Sequence, residues 1–93
     1  MAEQQPSPRD IVLLVDDSPD TLGFLTEALE ASGFSVLVAT SGPAALGVVE
    51  RVTPDLILLD AVMPGMDGFQ LCEKIRGLVD CPILFLTAKA EEG

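Results

Sequence analysis

The chain has 93 residues, 48% of them apolar and 22% charged, a balance that suits one small globular domain and excludes a multidomain machine. Fifteen acidic residues against five basic ones leave a net charge of −10, which repels phosphate backbones and anionic lipid and argues against direct nucleic-acid or membrane binding. With no histidine, and with Cys72 and Cys81 outside any CxxC pair, imidazole-based nucleophilic catalysis and zinc ligation are excluded, so carboxylates must carry any chemistry.

Residues 1–10 combine prolines, glutamines and charges without a period and read as a disordered N-terminal tail. They hold no apolar signal-peptide core, and the longest apolar runs fall far short of the roughly 20 residues that span a bilayer. A cytoplasmic protein is the expectation. Ile11 to Val15 is a short, β-branched apolar run, as expected of a strand covered on both faces in a parallel sheet. Ser18-Pro19 is a helix start, with serine as N-cap and proline where no donor is missed. Leu22, Leu25, Ala28 and Leu29 follow at helical spacing, and Gly33 closes the helix.

The unit repeats. Phe34 to Ala39 is a second strand, and Thr40-Ser41-Gly42-Pro43 opens a second helix with an apolar stripe of Ala44, Ala45, Val48, Val49 and Val52. Thr53-Pro54 stops it, because the residue before proline is driven out of helical geometry. Asp55 to Asp60 is a third strand, and a loop containing Pro64, Gly65 and Gly68 leads to a third helix with Phe69, Cys72, Ile75 and Val79 on one side. Pro82 to Thr87 is a fourth strand. Strands alternating with helices imply right-handed crossovers and a parallel α/β sheet, whose functional groups collect at the carboxyl ends of the strands.

Asp16 and Asp17 stand at the carboxyl end of the first strand and Asp60 at that of the third. Burying a charge costs several kcal/mol unless it is paired or metal-bound, and three carboxylates on one edge repel one another. A hard divalent cation relieves this, with oxygen ligands and open water positions suiting Mg²⁺. One carboxylate can then act as nucleophile toward a phosphoryl donor. Thr87 closes the fourth strand at the same edge, with a hydroxyl able to bond a phosphoryl oxygen.

The segments VLLVDDSPD, LILLDAVMPGMDG and PILFLTA, in that order, resemble the receiver domain of bacterial two-component response regulators, over about residues 11 to 90. The resemblance implies a flavodoxin-like (CheY-like) doubly wound parallel sheet of strand order 2-1-3-4 with three helices, a partial receiver over residues 11–93 that lacks the family's last helix, strand and helix. It implies that Asp60 is the phosphoacceptor, served by a sensor histidine kinase or a histidine phosphotransfer protein. It further implies that Asp17 binds Mg²⁺ directly, Asp16 through water, and the backbone carbonyl of Val62 directly. Thr87 matches the switch hydroxyl, and Val62 and Lys89 occupy places that adjust how fast the phosphoryl group is lost.

The phosphoryl-binding lysine of the family's fifth strand is missing, and Lys89 is not its equivalent, since it follows Thr87 too closely. The resemblance implies a module that is a substrate assisting its own phosphorylation and dephosphorylation, not an enzyme with a free substrate. By the resemblance, without the last third the first helix would cover its sheet face alone and the fourth strand would become an open apolar edge. Completion by a second copy, through edge pairing or domain swapping, or membership of a longer polypeptide is therefore expected. The alternative reading is a receiver-like interaction module that is never phosphorylated. A haloacid dehalogenase type of phosphatase wants a second aspartate two residues past the nucleophile, where this chain has Val62.

Overall fold

A computed structural model describes residues 10–61 and 68–86. Its elements are β1 (Ile11–Val15), α1 (Pro19–Ala31), β2 (Ser35–Ala39), α2 (Gly42–Arg51), β3 (Leu56–Asp60), α3 (Gly68–Arg76) and β4 (Ile83–Leu86). The four strands form one parallel sheet, as the alternation of strand and helix predicts, in the order β2-β1-β3-β4 that the receiver resemblance implies.

Local chemistry accounts for the helix ends. Ser18 is the N-cap of α1, its side chain accepting from the Thr21 N–H at 3.4 Å. At the other end Gly33 takes φ of 100°, which only glycine adopts without strain. This turn lets Gly33 N–H donate to the Glu30 carbonyl at 3.0 Å and Phe34 N–H to the Leu29 carbonyl at 3.1 Å, a Schellman closure. Ser41 caps α2 by accepting from the Ala44 N–H at 3.2 Å. Val52 is already extended, and Pro54 behind it is fully buried.

Alternate residues of β1 face opposite layers, as the two-residue period of a strand requires. Leu13 and Val15 join Ile57 and Leu59 of β3, Ala45 and Val49 of α2, and Leu71, Cys72 and Ile75 of α3 in the larger core. Val12 and Leu14 meet Leu22 of α1 in the smaller one, flanked by Leu25, Leu29, Leu56 and Leu58. Among the described helices α1 alone packs in this second layer. Val38 and Leu84, placed on that face by register with Leu14 and Leu58, are 48% and 53% exposed.

Five expected stripe positions differ from the structure, two of them, Val52 and Val79, because α2 ends at Arg51 and α3 at Arg76. Ala28 and Ala44 are exposed, and Leu46 packs on the larger core in place of Ala44. Phe69 is 61% exposed, while Leu71, one residue pair along α3, is fully buried. The reason is rotation of each helix about its axis: where more than one apolar row exists, tertiary packing selects the row that fills the core. Phe69 instead tilts against Phe85 of β4, ring centroids 4.8 Å apart. Among the described residues no helix is long and apolar enough to cross a membrane.

Candidate functional site

The sheet register carries the site. Val15 of β1 is level with Ala39 of β2 and with Leu59 of β3, so Asp16 and Asp60, each one residue further, leave the sheet side by side. The Asp16 N–H donates to the Ala39 carbonyl at 3.1 Å, which extends the ladder by one bond and fixes the residue at the sheet edge. Its Oδ1 accepts from the Ser18 N–H at 2.9 Å, a local turn that holds the carboxylate beside the start of α1. Asp60 ends β3 and is level with Leu86 of β4.

Asp16 and Asp60 are 5% and 4% exposed, while Asp17 faces solvent. Each of the three offers a carboxylate oxygen, and these oxygens all lie within 4.8 Å of one another. Two unit charges at about that distance repel by roughly 3 kcal/mol at an effective dielectric near 20. The donor set is all oxygen and carries three formal charges, with one ligand open to water. That is the chemistry of a hard divalent cation which keeps part of its hydration shell, and soft thiol-binding metals are disfavoured by it. The residues present therefore fit Mg²⁺.

Of the residues singled out in the sequence, Asp16, Asp17 and Asp60 are brought together. Val62, Thr87 and Lys89, with Pro64 and Gly65 of the expected loop, lie outside the described residues. One contributor was not singled out for the site: Gly68, the first residue of α3, whose N–H donates to the Ala61 carbonyl at 3.0 Å. The sequence shows the glycine but not its closeness to Asp60, because that contact is set by where α3 docks. Cys81, at the opposite end of β4, has its thiol pushed up chiefly by partial burial, which a backbone hydrogen bond partly offsets and to which the charges of Asp55 and Asp80 add less.

Comparison with known proteins bears on this edge directly. The family model of the response regulator receiver domain matches residues 12–93. The DNA-binding response regulator MtrA of Mycolicibacterium smegmatis is 41% identical over 83 residues, covering 89% of this chain and 36% of that protein. The transcriptional regulatory protein BaeR of Escherichia coli is 41% identical over 81 residues, 87% of this chain and 34% of that protein. The chain thus spans about a third of the length of these curated relatives. Among solved structures, the Thermotoga maritima response regulator TrrA in complex with Mg²⁺-BeF superposes with a TM-score of 0.79 at 32% identity, covering 87% of this chain and 71% of that one. Strand order, acidic edge and sequence agree, and the chain belongs to the response regulator receiver domain family.

Proposed function

We propose that this chain is the phosphoacceptor module of a two-component phosphorelay, with Asp60 taking a phosphoryl group from a sensor histidine kinase or a histidine phosphotransfer protein. The observation that carries the reading is the convergence of the Asp16, Asp17 and Asp60 oxygens at the carboxyl ends of β1 and β3. In the step itself an Asp60 oxygen attacks phosphorus, the P–N bond to the donor imidazole breaks, and the nitrogen keeps the electron pair and takes a proton from solvent. The product is an acyl phosphate on Asp60, and water reverses the modification by attack at the same phosphorus.

Asp17 and Asp60 would hold Mg²⁺ directly and Asp16 through water, with the Val62 carbonyl as a further ligand by resemblance. When bound, the ion neutralises the charge that gathers on the phosphoryl oxygens. The bond from Ser18 N–H holds the Asp16 carboxylate in place beside the site, and the burial of Asp60 limits the access of water to the acceptor. Thr87 is the proposed switch hydroxyl. The chain is then a self-modifying substrate, working in the cytoplasm and contacting nucleic acid only through other polypeptide, since its net charge of −10 repels it.

The test is incubation with acetyl phosphate and MgCl₂, followed by intact-mass measurement. One phosphoryl group is expected, dependent on Mg²⁺ and absent in Asp60→Asn. Failure of wild type to gain it under conditions that modify a known receiver would sink the proposal in favour of an unphosphorylated interaction module.

A further inference from the structure

The geometry points to Gly68 as a positioning residue for the acceptor, an inference that rests on the reading of Asp60 as phosphoacceptor. A methyl group built on Gly68 would overlap the Asp60 carbonyl oxygen and lie 2.7 Å from Ala61 Cα and 3.1 Å from the Asp60 carbonyl carbon. All three atoms are backbone, so no side-chain rotation relieves the clash. The other glycines measured within or just after helices lack this constraint. Gly23 and Gly47 have nothing within 4 Å of such a methyl, and Gly77 meets only the Lys74 carbonyl at an ordinary 3.7 Å.

Gly68 is not required for its backbone angles, because Gly33 is the described glycine with positive φ. It is required for room. The Gly68 N–H bond to the Ala61 carbonyl draws the first turn of α3 onto the peptide that follows the acceptor. Below that turn Leu71, Cys72 and Ile75 lock α3 into the larger core beside Ile57 and Leu59. A side chain at position 68 therefore cannot be relieved by sliding the helix without opening that core, and the displacement falls on the Asp60–Ala61 peptide. Ordinary contact begins at 3.4 Å, so Ala61 Cα at 2.7 Å must move by about 0.7 Å and the Asp60 carbonyl oxygen by more, in a close-packed setting. Reactive groups lose about a hundredfold in rate for about 1 Å of misplacement, so about a tenfold loss of phosphorylation rate is expected from Gly68→Ala.

The experiment compares wild type, Gly68→Ala and Gly77→Ala. It reads the acetyl phosphate modification rate per folded molecule, with the folded fraction taken from circular dichroism. It also reads the rise in Tm produced by MgCl₂ plus beryllofluoride over that from MgCl₂ alone. Support is a Gly68→Ala rate lowered about tenfold or more together with loss of the beryllofluoride increment, with Gly77→Ala matching wild type. A wild-type rate and increment in Gly68→Ala, whatever its Tm, overturns the inference and reduces Gly68 to a packing residue. If wild type itself takes no phosphoryl group and shows no increment, the phosphoacceptor reading fails and this one with it. Should Gly68→Ala not fold, amide NMR of the wild type decides: beryllofluoride must shift the Gly68 amide more than that of Gly77, and an unmoved Gly68 amide overturns the inference.

Discussion

At the scale of single residues, position in the chain was enough to find the acids but not to rank the thiols. Asp16, Asp17 and Asp60 were legible because an acidic residue ending an apolar parallel strand has one place to be, the carboxyl edge of the sheet. The contact between Gly68 and Asp60 was not, since it depends on the docking of α3. The cysteines illustrate what burial adds. Cys72 is buried among Leu71 and Ile75, and Cys81 is partly buried with its thiol raised above the ordinary value of 9.0, first by desolvation and then by Asp55 and Asp80. Only the thiolate attacks an alkylating agent. Iodoacetamide is therefore expected to label Cys81 more slowly than free cysteine at neutral pH, to label Cys72 more slowly still, and to label Cys81 faster in Asp80→Asn. Because the folded value lies above the unfolded one, the contribution of Cys81 to stability is complete below pH 9.0 and is lost as pH rises through the folded value. Peptide mass mapping reads the labelling, and faster reaction of Cys72 than of Cys81 contradicts the assignment.

At the scale of elements, the punctuation of the sequence carries further than its periodicity. Ser18-Pro19, Ser41 and Gly33 sit at the helix ends they announced, because each supplies or avoids one specific backbone bond. The apolar stripes were less decisive. Ala28, Ala44 and Phe69 belong to rows that solvent or an edge aromatic contact claims, and the rows containing Leu46 and Leu71 fill the core. Two substitutions test this level without touching the acidic edge. Ser41→Ala removes the N-cap of α2 and is expected to cost about 1 kcal/mol. Gly47→Ala, at an exposed helix position with open space around it, is expected to add about 0.5–1 kcal/mol by reducing the freedom of the unfolded chain. Denaturant melts of the two variants should move in opposite directions while phosphorylation rates stay at wild-type levels. A destabilised Gly47→Ala would show that α2 is packed more tightly on that side than its surroundings indicate.

At the scale of the whole molecule, two features compete. The sheet is the part of the fold that was most legible, since strands alternating with helices leave few topologies. Its layers are nevertheless unequal: α2 and α3 share one face, α1 stands on the other, and Leu84 and Val38 are left half exposed there. Onto this modest core falls a net charge of −10, which opposes compaction through self-repulsion and is relieved by any salt. The acidic edge adds a second, local repulsion that a bound divalent cation relieves far more than screening does, so the two contributions separate by experiment. Sodium chloride should raise Tm gradually, whereas low-millimolar MgCl₂ at matched ionic strength should raise it more, because a ligand at ten times its Kd adds about 1.4 kcal/mol to the folded state. Asp17→Asn is expected to abolish the excess effect of magnesium while leaving that of sodium chloride. Asp80→Asn, which removes the same charge from an exposed residue at the start of β4's approach, should keep both. Equal responses to the two salts in wild type, or an undiminished magnesium effect in Asp17→Asn, would mean that the three carboxylates are tolerated as solvated charge rather than joined by an ion.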